Sequence, residues 1–259
     1  MRSVTETTLR KPPPTGMALR TLLRADATVL LRNRQALLLS IVLPVAILFI
    51  TGAGGGRRQV LDPGYLIGLS ITYGLMAAGL FGYPMAVARD RESGVFQRMR
   101  VTPVPMWTVS VSRIVVQLVL SLVMSLVVLG LGGLRHHLTF GIGAWLLVLA
   151  ISLLGAAVFL AIGQAIVGLT STSGQVNALS RVLFALLLVV GLIGSSGLLG
   201  STFKTVAGWT PVGGLSNLYS AATGSVGWGS DQVIGLVASL VYAIAFGYVG
   251  VRWFRWTVR

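Results

Sequence analysis

Residues 113–135 read RIVVQLVLSLVMSLVVLGLGGLR, with one arginine at each end and 21 uncharged residues between them. At 1.5 Å per residue such a helix is about 32 Å long, close to the roughly 30 Å of hydrocarbon in a bilayer. A helix this long in water needs a polar face. This one has only Gln117, Ser121 and Ser125 to offer. The stretch therefore reads as a membrane span.

Outward from it, five more stretches have the same character: residues 36–53 with Pro44 inside, 65–88, 140–169, 181–197 and 231–252. Pro44 is acceptable in a membrane helix, where neighbouring helices satisfy the freed carbonyl. The whole composition agrees. Apolar residues make up 54% of the 259 and charged residues only 10%, and the mean hydropathy is +0.86. A soluble domain carries about 25% charged residues, so this chain cannot clothe a globule in water. The expectation is an all-α membrane protein with six spans.

The basic residues orient it. With the first residues inside, sixteen of the 20 lysines and arginines fall on the inner side and four, Arg57, Arg58, Arg135 and Lys204, on the outer. That asymmetry follows the positive-inside rule and places both termini in the cytoplasm. The net charge of +14 then reflects inner loops and anionic lipid, and nucleic acid is not expected as a partner. Residues 1–15 are polar, with Pro12-Pro13-Pro14 and no short apolar core behind the basic residues. They read as a cytoplasmic tail and not as a cleavable signal.

Several chemistries are missing. There is no cysteine, no Gly-x-x-x-x-Gly-Lys-Ser/Thr loop, no Ser-His-Asp arrangement and no carboxylate or lysine inside a span. Disulfides, thiolate metals, a nucleotide triphosphate cradle and an enzyme active site are thereby set aside. His136 and His137 are adjacent without a third ligand nearby and read as solvated loop histidines. A stand-alone carrier coupled to protons or sodium usually keeps ionisable groups or unwound helices at mid-membrane. The polar groups available to line a pathway are Gln117, Gln164 and Asn177; bridging neighbouring helices is their alternative use. Any driving energy is expected from another chain.

Residues 16–34 have helical periodicity. Leu19, Leu22, Leu23, Ala27 and Leu30 share one face, and Arg20, Arg24, Thr28 and Arg32 another, as in a helix lying on the inner leaflet. Asp26 projects from the apolar side. Either a cation meets it there, Arg89, Arg91 or Arg98, or it sits at the water boundary. Residues 195–230 are glycine-rich and moderately apolar around Pro211. Two short re-entrant helices or an ordered external loop would both fit. Gly64 and Gly68 form a Gly-x-x-x-Gly that permits close helix approach.

The most charged island between spans is Arg89-Asp90-Arg91-Glu92-Ser93-Gly94-Val95-Phe96-Gln97-Arg98-Met99-Arg100-Val101-Thr102-Pro103. It reads as a helix end, a glycine turn and a short amphipathic helix stopped before Pro103. Charges of both signs suggest a protein contact; a solvated loop with lipid-facing arginines is the plainer alternative.

This island carries a resemblance. Arg91-Glu92-Ser93-Gly94 followed by Arg100-Val101-Thr102-Pro103 is similar to the Arg-Glu-x-Gly…Thr-Pro segment of ABC type-2 exporter membrane subunits. The preceding amphipathic helix with Leu31-Arg32-Asn33-Arg34, Pro44 in the first span, Trp209-Thr210-Pro211 and the six spans follow in that family's order. The resemblance implies a coupling helix that docks in a cytoplasmic ATPase, here through Arg91, Glu92, Gly94, Val95, Phe96, Arg98 and Met99. It implies Glu92 bonded to the ATPase or to the interface helix, Gly94 making the turn and Phe96 giving an apolar contact. It further implies two ATPase copies holding ATP and magnesium, no cofactor on this chain, and a second permease, identical or homologous. Where many members have Glu-Arg-Glu, this chain has Arg89-Asp90-Arg91-Glu92. The implied organisation is a tail 1–15, an interface helix 16–34 containing Arg20, Arg24 and Asp26, and a six-span domain 35–259 with coupling segment 89–103. The implied function is ATP-driven export of a hydrophobic drug, antibiotic or lipid. A lipid-linked polysaccharide exporter and a stand-alone secondary transporter are the alternatives.

Overall fold

The computed structural model describes residues 15–32, 34–51, 62–99, 106–196 and 200–253. The tail 1–14, Arg57 and Arg58, Arg100 to Pro103 and Trp256 lie outside them.

Among the described residues every regular element is helical: α1 (Thr15–Arg32), α2 (Arg34–Thr51), α3 (Pro63–Ala77), α4 (Tyr83–Glu92), α5 (Val95–Met99), α6 (Met106–His136), α7 (Ile142–Leu169), α8 (Ser173–Ser196), α9 (Ser201–Trp209), α10 (Pro211–Ala222) and α11 (Ser230–Arg252). Five helices among the described residues are long and apolar enough to cross a membrane: Pro63–Glu92, Trp107–His136, Ile142–Leu169, Ser173–Gly194 and Ser230–Arg252. The protein is thus an all-α, multi-pass membrane protein. α2, the expected first span, has 18 residues with its strongly apolar part at Ile41–Ile50.

The core is built around Pro63–Glu92, whose middle, Leu66 to Met76, is buried throughout. α2, α6, α7, α8 and α10 all pack on α3. Between α3 and α4 the helix widens into one π turn, Ala78–Gly82, ahead of Pro84. Such a turn is a recognised source of helix bending and is frequent at functional sites. The outer faces are apolar. Val115, Val119, Val123 and Val127 are exposed along α6, as are Leu179, Val182, Leu186 and Val189 along α8. In water that surface would aggregate; against lipid tails it costs nothing.

Within the stretch 195–230, α9 and α10 form a helical hairpin. α9 and α10 are too short to cross roughly 30 Å of hydrocarbon, yet α10 is buried over most of its length. Its start reaches inward: Val212 and the Tyr73 hydroxyl both lie against Gly191, and Leu215 lies against Gly155. Its end returns outward, with Tyr219 beside Gly68 and Thr223 beside Gly64. The Gly64 and Gly68 pair therefore receives α10. At the tip, Thr210 donates to the Ala207 carbonyl at 2.6 Å and accepts from the Gly213 amide at 3.2 Å. Pro211 occupies the first helical position, where a missing N–H costs nothing. Gly214 and Gly235 let α10 and α11 touch backbone to backbone, since a Cβ on either would strike the other.

Buried polar groups tie helices together. The Tyr73 hydroxyl donates to the Leu188 carbonyl at 2.7 Å, and Ser152 and Tyr219 share a hydrogen bond of 2.9 Å. In hydrocarbon no water is available to satisfy these groups, so each needs such a partner.

Candidate functional site

The charged island sits at the basic end of the bundle. α4 closes at Ser93, whose amide donates to the Arg89 carbonyl at 2.9 Å. Gly94 follows with φ +71°, the left-handed conformation that glycine adopts without a Cβ penalty. The chain reverses there into α5, whose Arg98 amide returns to the Gly94 carbonyl at 3.1 Å. Helix, glycine turn and short helix occur as the residues predict. The side chains of Phe96 and Met99 lie outside the described atoms; Val95 is half-buried, and Gln97 and Arg98 are exposed.

Arg91 and Glu92 turn toward the connection between α7 and α8. The Arg91 guanidinium donates to the Val167 carbonyl at 3.1 Å and to the Thr170 carbonyl at 2.8 Å, at the last turn of α7. Arg91 is 5% exposed. Glu92 accepts from the Ser173 amide at 2.6 Å, the first residue of α8. A cation thus meets the negative end of one helix and an anion the positive end of the next. The connection is closed by its own capping box: Thr172 accepts from the Gln175 amide at 3.3 Å, and the Gln175 side chain accepts from the Thr172 amide at 3.4 Å.

A second charged joint lies beside it. α1 packs across the start of α6 with Leu19, Leu22, Leu23, Ala27 and Leu30 half-buried and Arg20, Arg24, Thr28 and Arg32 exposed, the two faces that periodicity assigns. Asp26 accepts from the Ser112 hydroxyl and stands 4.0 Å from Arg113 Nε. Arg113 Nη2 also grips Asp90 of α4. Asp26 is therefore met by Arg113, and not by Arg89, Arg91 or Arg98. Arg89 and Arg98 face solvent, Arg91 is engaged on α7, and α6 is the helix that lies across α1. Arg113 was visible in sequence only as the boundary of a span.

Residues 17–212 match the family model described as ABC-2 type transporter. The chain belongs to that family. It is a transport permease subunit and not the catalytic ATPase, and permeases of this family pair with an ABC ATPase. No curated protein matches the chain.

Within this permease the remaining polar candidates separate. The Tyr83 hydroxyl donates to the Gln164 side chain, joining α4 to α7. Gln117 is buried on α6 and faces Gly82 in the π turn. Gln117 and Gln164 thus each touch one of two adjacent residues, Gly82 and Tyr83; Asn177 is half-buried on α8.

Proposed function

We propose that this ABC-2 permease exports a hydrophobic or amphipathic small molecule, a drug, an antibiotic or a lipid, from the cytoplasm or inner leaflet. A separate ATPase, in two copies with ATP and magnesium, drives it, and a second permease completes the path. The protein sits in a bacterial cell membrane with both termini and the island in the cytoplasm. One observation carries the reading: α5 is hinged by Gly94 onto α4, the continuation of the most buried helix in the bundle. A push delivered at Val95, Phe96, Arg98 and Met99 therefore enters the core directly. Alternating access needs such an element, because a ligand can bias two states only through a part that differs between them. The nearly uncharged spans favour a greasy cargo.

The test is affinity purification of the tagged chain from its native membrane, with Phe96→Ala in parallel. Recovery of a cytoplasmic ABC ATPase that Phe96→Ala loses is the expected result. If no ATPase is recovered after mild crosslinking, the exporter reading falls and a stand-alone carrier replaces it.

A further inference from the structure

We infer that Arg91 and Glu92 form a clamp inside the permease that carries ATPase motion onto α7 and α8, and that their side chains are not docking contacts. The inference rests on the proposed docking of α5, but it gives these two residues a different task from the one their motif implies.

Both side chains are already committed. Arg91 is almost wholly buried, with its guanidinium on the Val167 and Thr170 carbonyls, so it presents no surface to a partner. Glu92 is exposed, yet its carboxylate lies 2.6 Å from the Ser173 amide. Two consecutive residues at the end of α4 thus hold the end of α7 and the beginning of α8. Each contact matches the sign of the helix end it meets. The gripped connection is itself rigid: Thr172 and Gln175 cap α8 reciprocally, and the Ser171 amide also donates to Gln175 at 3.0 Å. A short turn capped in this way passes on displacement instead of absorbing it. Without the clamp, a push on α5 would move α4 and leave this end of α7 and α8 linked to it through apolar packing that slides, the Tyr83–Gln164 bond lying about two turns back along α4. With it, α4, α7 and α8 move as one body at this end.

The bond can be cut from either side. Glu92→Ala removes the acceptor carboxylate. Ser173→Pro removes the donor amide without touching the island, at the first position of α8, where proline is well tolerated. The chain has no cysteine, so Val189→Cys, exposed on α8, can carry an environment-sensitive fluorophore in the full permease–ATPase complex. The parent is expected to change emission when a non-hydrolysable ATP analogue is added.

Glu92→Ala and Ser173→Pro are each expected to leave ATPase recovery unchanged and to weaken the nucleotide-driven emission change about two- to threefold, the scale of one hydrogen bond lost at an exposed carboxylate. The double variant is expected to be no worse than either single one, because both cut the same bond. Loss of the ATPase with Glu92→Ala but not with Ser173→Pro would overturn the inference and make Glu92 a docking contact. An undiminished emission change in both variants would overturn it as well. Retention of the ATPase by Phe96→Ala is a separate outcome, which strikes the docking reading and not the clamp.

Discussion

Replacing Arg113 by glutamine should destabilise the permease by about 1.5–3 kcal/mol, between the values for exposed and buried ion pairs. The structure sets that interval. Arg113, Asp26 and Asp90 have side-chain exposures of 17%, 23% and 27%, so solvent screens part of the interaction and none of the three is fully desolvated. Without the guanidinium, Asp26 of α1 and Asp90 of α4 are left as like charges where a shared cation stood, with Ser112 still bonded to Asp26. Reversible unfolding of the purified protein in mixed micelles, followed by circular dichroism, measures the loss. Arg98→Gln, at an exposed arginine of α5, is the control and should leave stability unchanged. Adding Asp90→Asn to Arg113→Gln should recover about 1 kcal/mol, since it removes one of the two unmatched charges. If Arg113→Gln behaves like Arg98→Gln, or if the two changes are strictly additive, the joint is a surface contact and α1 is held by its apolar face alone.

Two other substitutions probe the backbone. Gly163→Val should cost about 1–3 kcal/mol, the range for overpacking, because any Cβ there runs into the Gly79 carbonyl; Gly143→Val, with open space around it, should be silent in the same titration. Gly94→Val should cost about 1–2 kcal/mol for holding a branched residue in the left-handed region and should reduce ATPase recovery. Gly94→Asn should recover ATPase nearly as the parent does, since asparagine visits that region readily.

What could be read from the residues was what depends on neighbours in sequence. The span between Arg113 and Arg135, the two faces of α1 and the turn at Gly94 each follow from hydropathy, a 3.6-residue period or the freedom of one glycine. Long apolar runs announce themselves because lipid leaves no other way to bury them. The island could likewise be singled out by charge alone.

Tertiary packing decided the partners. Asp26 on the apolar side of α1 demanded a counter-charge, but only the crossing of α1 over α6 selected Arg113. Arg91 and Glu92 lie about 80 residues from Val167 and Ser173, and nothing local to either stretch announces the pairing. The hairpin of α9 and α10 was undecided in sequence, because a glycine-rich apolar stretch fits an outer loop as well as a re-entrant pair. It packs into the bundle where Gly64, Gly68 and Gly235 open room for α10 beside α3 and α11. Hydrophobicity acts residue by residue and can be summed along a chain. A hydrogen bond or an ion pair needs two groups within a few ångströms, and across distant segments that proximity exists only once the helices have docked.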